Sequence, residues 1–436
     1  NRCGGTFSLA FSECRSEILK GIHASQPVRL GEILPKCESW PDLLSQIDEG
    51  CSRMHDLNST DINGFRVSVG LVRMTRIAHT ASLAAQLPSG DLRGRLRVKL
   101  CLHSQFPLLH RSWIETQLKK ALTRKGPDPE AGVRFLCHSE NLFNRASAFG
   151  SHEIEIVVIT SPVIETGNDL DFDYAVLDPI STRSIIQSAG RVRRHRPPNG
   201  KHFNVLILGR SPIAIQSGIL SNPGVETRPA PETQVARISL EDYEGRFFRD
   251  LAGDENFSQI NAAVLLSEKG NVPLRDAEAK LRREMISTLK TSPLGKYLFN
   301  LNARLNLSMI KTRKFRRSKN RDIAYVMVGE TLQEGEWYLD IAPGTRNSRL
   351  SLAIDNNLIL SSADMGEMLF SDLAGSAWSD YANRLNKEQQ ATLRTLMQVS
   401  IPDFGDDLVP SMTYDVFTGF TRGIPEDLFE GLINTH

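Results

Sequence analysis

Gln187, Gly190, Arg191 and Arg194 stand at the spacing Q-x-x-G-R-x-x-R. On a continuous helix Arg191 and Arg194 lie about one turn apart and share a face. Two guanidinium groups so placed can reach a phosphate across a cleft and stabilise the charge that develops on it during phosphoryl transfer. Gln187 can position Arg191 or touch the same phosphate. Isolated arginines on a helix are ordinarily solvated charges, so the reading depends on the elements that hold them.

Those elements lie just upstream. Ile154 to Thr160 is rich in β-branched residues and reads as a buried strand. It runs into Ser161 to Asp173, a turn-forming loop with the pattern T-x-x-x-x-E-x-G-x-D, at the carboxyl end of a strand where open α/β sheets bind ligands. Tyr174 to Asp178 is the next strand, and Ser181 or Thr182 caps a helix expected to carry Gln187 to Arg194. Gly167 permits close backbone approach to a nucleotide, and Asp169 can accept from a ribose hydroxyl or orient an arginine.

The same alternation extends to both sides. Strands are expected at Val67 to Val72 and Val98 to Leu102, helices near Ala78 to Leu87 and Ser112 to Leu122, and a closing strand at Phe203 to Leu208. A β-α-β-α series of this kind implies a parallel sheet covered on both faces. Residues 1–64, with several Pro and Gly breaks, read as a connector, and 65–210 as the α/β lobe. Residues 211–308, punctuated by Pro212, Pro223, Pro229 and Pro231, read as a linker with helices, and 309–436 as a small α+β domain. The last opens on Lys311 to Arg321, with seven basic residues and no acid, and continues into a hairpin over 322–340 with Gly335 in its turn.

Composition bounds the classes. With 52 Lys and Arg against 51 Asp and Glu in 436 residues, any nucleic-acid footprint is a local patch rather than a global excess. No apolar run is long enough to cross a bilayer, which excludes a membrane-spanning helix and makes the cytoplasm the default location. The six cysteines, Cys3 to Cys137, form no C-x-x-C pair and read as reduced thiols.

Taken together these motifs resemble motifs V and VI of the second RecA-like lobe of superfamily-two helicases. Further stretches narrow the resemblance to the helicase-nuclease of type I CRISPR systems, in its I-F branch: Gly70 to Met74, Cys101 to Leu109, Val163 to Asp173, Arg183 to Arg196 and Phe315 to Ser318. It implies a fold of class α/β, a RecA-like parallel sheet followed by a helical linker and a small α+β C-terminal domain. Arg191, Arg194 and Gln187 are then the catalytic residues, and Gly167, Asp169 and Gly190 bind nucleotide. Thr160, His103 and Ser104 contact the sugar-phosphate backbone of single-stranded DNA, and Arg316 and Arg317 of the basic run add to that contact, with Phe315 stacking on a base or anchoring the loop. Arg193, Arg196 and Lys201 sit on solvent or phosphate backbone.

The departures from the family matter equally. No G-x-x-x-x-G-K-[ST] loop and no D-E-x-H or D-E-x-D box occurs, so ATP with Mg has its metal ligands outside this chain, as does the divalent metal of the nuclease. His55-Asp56 outlines a two-metal site only crudely, reads better as a surface histidine, and leaves no metal assigned here. The expectation is the C-terminal portion of a longer protein that hydrolyses no ATP alone. Its implied partners are single-stranded DNA, the N-terminal portion of the same protein, the RNA-guided surveillance complex, adaptation proteins and a phage anti-CRISPR inhibitor, with no membrane. An RNA-unwinding helicase lobe and a non-catalytic docking module are the alternatives.

Overall fold

The computed structural model describes residues 4–24, 29–165 except 93, and 169–212 except 180 and 197–201. Of the remainder it describes 215, 219–220, 238–239, 260–266, 322–328, 336–340, 350–352, 368–369, 398–402, 412–415 and 418–422.

Helix α1 (Gly4–Ala24) precedes β1 (Gly31–Ile33), α2 (Trp40–Asn58), β2 (Thr60–Ile62), β3 (Phe65–Arg73) and α3 (Ile77–Gln86). Next come β4 (Gly90–Asp91), β5 (Leu96–Leu102), α4 (Leu108–Leu122), α5 (Ala131–Ser139), α6 (Leu142–Ala148) and β6 (Glu153–Thr160). A 3-10 turn (Pro162–Glu165), β7 (Tyr174–Leu177), α7 (Thr182–Ala189) and β8 (Val205–Ile207) complete the lobe. The strands form one sheet in the order β1-β8-β7-β3-β6-β5-β4, with β2 beside β3. The pairings from β1 across to β5 are all parallel, and only the short β2 and β4 run antiparallel.

Alternation along each strand sends successive side chains to opposite faces. Val69, Leu71, Val98, Leu100, Ile156, Val158, Ala175 and Leu177 pack with Ile114 and Leu118 of α4, Leu136 of α5 and Ile185 of α7. Val72, Cys101, Val157, Ile159, Val176 and Leu206 pack on the other face with Leu43, Ile47, Cys51 and Met54 of α2 and Leu83 of α3. The sheet is thus buried on both sides, as its β-branched runs require.

Residues 31–62, read from the sequence as connector, are built into this lobe. β1 pairs with β8 from Gly31↔Val205 to Ile33↔Ile207. The Ser39 hydroxyl caps α2 by accepting from the Asp42 N–H at 3.3 Å, and Trp40, Leu43, Ile47, Gly50, Cys51, Met54 and Asn58 line its buried face. Three strand residues and Pro and Gly breaks gave no sequence signal for this packing. His55, expected on the surface, is fully buried, with Nδ1 2.7 Å from Ser68 Oγ and Nε2 2.7 Å from Glu153 Oε2.

A polar row lies under α2. The Tyr174 hydroxyl donates to Glu155 at 2.8 Å, and Arg97 Nε donates to the same carboxylate at 2.8 Å. Arg97 also donates to the Asp48 carboxylate and to Ser52 Oγ of α2. The Tyr174 ring lies directly over Gly70, where a Cβ would meet Cζ at 2.1 Å.

The expected 322–340 hairpin has its two arms paired antiparallel, Asp322–Val328 on Glu336–Asp340, from Ala324↔Asp340 to Val328↔Glu336; Gly335 lies outside the described residues. These arms belong to a four-stranded antiparallel sheet with Leu350–Leu352 and Gln398–Pro402.

Because Tyr174 is pinned by Glu155 and cannot swing aside, Gly70→Ala is expected to destabilise the lobe by about 1–3 kcal/mol through overpacking. Urea unfolding of the variant against the parent chain reads this directly, and an unchanged midpoint refutes the close packing.

Candidate nucleotide and nucleic-acid site

Helix α7 begins as expected. The Ser181 hydroxyl accepts from the Ser184 N–H at 3.0 Å and caps it. It ends earlier than expected, at Ala189, so Arg191 and Arg194 are not one helical turn apart. Instead Val192 forms a parallel bridge with Phe172. The Phe172 N–H donates to the Arg191 carbonyl at 2.8 Å and the Arg193 N–H to the Phe172 carbonyl at 3.0 Å. Arg193 takes a left-handed backbone, φ 47°, uncommon for a residue with a Cβ and held here by the surrounding structure. The tertiary bridge to Phe172 therefore overrides the helical continuation that the sequence suggests.

The two motif arginines are held very differently. Arg191 is 6% exposed; its Nε donates to the Ile164 carbonyl at 2.7 Å and Nη1 to the Gln187 carbonyl at 3.3 Å. Burial and the nearby Arg194 lower its pKa. Arg194 is 39% exposed, with Nε 2.9 Å from Asp169 Oδ1. Asp169 also accepts from Lys125 and pairs with His195 Nε2 at 2.9 Å, and these partners, Lys125 foremost, hold its carboxyl at about 2. Exposed ion pairs are worth about 0–1 kcal/mol, so Arg194 can exchange Asp169 for another anion at small cost, whereas Arg191 is fixed in advance. Gln187 is exposed, and Gly190 is partly buried with ordinary helical dihedrals.

Beneath the arginines lies a buried ion cluster that the sequence did not disclose. Asp173 is fully buried. It accepts from the Val69 N–H at 2.7 Å, from Arg124 at 2.7 and 3.1 Å, and from Arg196 at 2.7 Å. Arg196 further donates to Asp171 at 2.9 Å and to Glu130 at 3.0 Å. Burial alone would raise the Asp173 carboxyl, yet Arg124 and Arg196 outweigh it and hold it well below the usual range. Arg193 and Arg196, expected on solvent or phosphate, are 7% and 4% exposed: these internal carboxylates claim Arg196 where an outside phosphate was anticipated. Lys201 lies outside the described residues.

A second link runs through Glu165, whose carboxylate accepts from Arg73 Nε at 2.8 Å and from the Ser184 hydroxyl of α7. Arg73 in turn donates to Thr75 Oγ1 at 2.9 Å. Glu165 was visible in the loop pattern, but nothing marked it as the tie between β3 and α7.

Of the five residues expected to contact DNA, three are among the described residues, and two of these are enclosed. The Thr160 hydroxyl is fully buried and donates within its own sheet, where the Leu102 carbonyl lies at 2.9 Å and the Ser161 carbonyl at 3.0 Å. His103 is fully buried, with Nε2 donating to the Thr418 carbonyl at 2.5 Å and Nδ1 accepting from the Gln105 N–H at 3.1 Å. Burial pushes its pKa down to about 4, so the ring is neutral. Gly419 follows with φ 70°, and a Cβ there would meet His103 Cε1 at 2.7 Å. Ser104, beside His103, is exposed. Gly167, Phe315, Arg316 and Arg317 lie outside the described residues. Among the described residues no group of three or more His, Cys, Asp or Glu could hold a metal ion, and no helix is long and apolar enough to cross a membrane.

A mostly parallel sheet with helices on both faces, carrying the T-x-x-x-x-E-x-G-x-D loop at the end of β6 and the Q-x-x-G-R-x-x-R stretch from the last turn of α7 onward, has the architecture of a RecA-like α/β lobe. Residues 66–197 match the family described as "CRISPR-associated nuclease/helicase Cas3, C-terminal", and the particular likeness is to the C-terminal portion of Cas3 of subtype I-F/YPEST. The relative from Pseudomonas aeruginosa (strain UCBPP-PA14) is 36% identical over 193 residues, 44% of this chain and 18% of the relative. That from Pectobacterium atrosepticum is 33% identical over 186 residues, 40% of this chain and 16% of the relative. The chain thus matches less than a fifth of the length of either relative. The crystal structure of T. fusca Cas3-AMPPNP aligns with a TM-score of 0.43 at 14% identity, over 89% of this chain and 37% of that one.

Removing Arg196 or Arg124 leaves Asp173 buried with half its compensation, so Arg196→Ala and Arg124→Ala are expected to cost about 3–5 kcal/mol in urea unfolding. The folded Asp173 carboxyl lies below its unfolded value, so its stabilisation is complete above about pH 4 and is lost as the pH falls further. Acid unfolding should therefore set in at higher pH in either variant.

Proposed function

We propose that this chain supplies the second motor lobe of an ATP-dependent translocase on single-stranded DNA, coupled to a nuclease that degrades foreign DNA in CRISPR interference. The carrying observation is the pairing of a pre-fixed Arg191 with a loosely tethered Arg194 in the segment just beyond α7, within a stretch that matches the Cas3 C-terminal family. A charge-stabilising pair benefits from this division. The buried guanidinium needs no reorganisation, and the exposed one can follow a phosphate that arrives and departs.

The residues fit one wall of a nucleotide site and not the other. Arg194, Gln187 and Asp169 are accessible, while the chain has no G-K-[ST] loop and no D-E-x-H box. Bound ATP with Mg would supply the phosphoryl group, its cradle and metal carboxylates contributed by a first lobe. This chain's part is to hold Arg191 through Ile164, to release Arg194 from Asp169, and to set Gln187 beside them. Since Arg73, Glu165 and Ser184 connect β3 to α7, a shift of the arginine turn is transmitted to the carboxyl ends of the central strands, where a DNA strand would be gripped. Ser104 and the basic residues Arg316 and Arg317 are the proposed DNA contacts. His103 would act there only after the Thr418–Gly419 turn moves away, and Thr160 only once its hydroxyl leaves the Leu102 and Ser161 carbonyls. The surveillance complex would deliver the strand, adaptation proteins and a phage inhibitor would be further partners, and the nuclease and its divalent metal would lie outside this chain.

Arg191→Ala or Arg194→Ala, in the protein with both lobes, is expected to lower ATP hydrolysis by about a thousandfold or more while nucleotide binding is largely kept. This chain alone should hydrolyse no ATP above background, with or without single-stranded DNA. Wild-type turnover in either mutant sinks the reading.

Charge reversal at Arg316 and Arg317 should weaken single-stranded DNA binding and lower the salt slope by about one unit per lost phosphate contact. A filter-binding titration at several salt concentrations measures both, and unchanged affinity and slope would remove the basic run from the interface.

A further inference from the structure

We infer that Arg29, far from both motifs in sequence, is a positioning residue that fixes the arginine turn; the inference rests on the reading that Arg191 and Arg194 serve phosphoryl transfer. Helix α7 stops at Ala189, and the carbonyls at a helix end have no partners within the helix. One guanidinium collects two acceptors there: Arg29 Nη2 donates to the Gly190 carbonyl and Nε to the Val192 carbonyl, each at 3.2 Å. These are the carbonyls of the residues on either side of Arg191, whose own carbonyl accepts from the Phe172 N–H at 2.8 Å. Three consecutive carbonyls are thereby held, and the Arg191 backbone cannot rotate without breaking one of them.

The charge at this position is costly. Burial lowers the Arg29 pKa, the neighbouring Arg194 lowers it further, and Asp171 opposes both. A neutral donor could satisfy two carbonyls without repelling Arg194. A cation adds attraction to the negative end of α7, and its repulsion of Arg194 favours the outward, exposed course that Arg194 takes toward Asp169. Arg29 therefore acts on both motif arginines, clamping the backbone of one and directing the side chain of the other.

Its own backbone is anchored on two sides. The Leu30 N–H donates to Asn204 Oδ1 at 2.9 Å, and the Leu30 carbonyl accepts from the Asn204 and Val205 N–H groups at 3.0 Å. The Arg29 carbonyl accepts from the Ile260 N–H at 2.8 Å. The residue that steadies the arginine turn thus sits where the N-terminal segment, the first residues of β8 and the segment after the lobe meet.

Two measurements test this. In this chain, Arg29→Ala should speed amide hydrogen exchange about tenfold in a peptide covering 188–196 while leaving α2 and β3 unchanged, and Arg29→Lys should stay near the parent, since one ammonium can bridge two carbonyls. Unchanged exchange at 188–196, or an equal rise throughout the lobe, overturns the inference. In the protein with both lobes, Arg29→Ala should lower kcat for ATP hydrolysis at least about tenfold with KM for ATP little altered, with recovery in Arg29→Lys. A wild-type kcat in Arg29→Ala beside an inactive Arg191→Ala overturns the role of Arg29 alone. Wild-type hydrolysis in Arg191→Ala instead overturns the phosphoryl-transfer reading, and with it the catalytic part of this inference.

Discussion

The rest of the site depends on one buried carboxylate. Asp173 joins the start of β7 to the middle of β3 through the Val69 N–H, to the end of α4 through Arg124, and to the segment beyond the arginine turn through Arg196. Buried ion pairs seldom add much net stability against apolar replacements, but breaking one is expensive. That asymmetry suits a positioning device: the loop before β7 and the arginine segment have one low-energy arrangement, and any other strands a charge in the core. Asp171 and Glu130 extend the cluster, so the path of residues 191–196 is set by carboxylates on either side of a single guanidinium.

Much of this lobe was legible in the sequence. The strands β3, β5, β6, β7 and β8 and helices α3, α4 and α7 lie where β-branched runs and helical spacing put them, within a few residues. What escaped has physical reasons. β1 is three residues long and acquires its identity from β8, more than a hundred residues away. α5 and α6 are short, too short for a clear period. α7 ends early because the Phe172 bridge, a tertiary contact, takes over its continuation.

The site was legible in outline and misread in detail for a similar reason. Sequence spacing marked Arg191, Arg194 and Asp169, which the fold brings together. It could not tell which of four neighbouring arginines would face inward, because that depends on carboxylates at 130, 171 and 173 arriving from other elements. Thr160 and His103 show the converse. Both stand at the ends of strands as expected, yet backbone carbonyls at Leu102 and Thr418 occupy their donors.

The pairing of β1 with β8 carries a consequence for how the lobe is made. Gly31 must find Val205, and α2 buries its apolar face partly against Leu206 and Leu208. A chain synthesised from its N-terminus at roughly 5–20 residues per second has therefore made β1 and α2 some ten seconds or more before their final partners emerge. Contacts of such long sequence separation form late, because the loop must close before they reward it. In the interval Leu43, Ile47 and Met54 can be sheltered by β3, α3, β5, β6 and β7 as these appear, and the polar tie from Arg97 to Asp48 and Ser52 joins α2 to one of those earlier strands, β5. The buried charges under α2 thus tie it to a strand made long before β8, while the place of β8 between β7 and β1 stays open until the last residues of the sheet arrive.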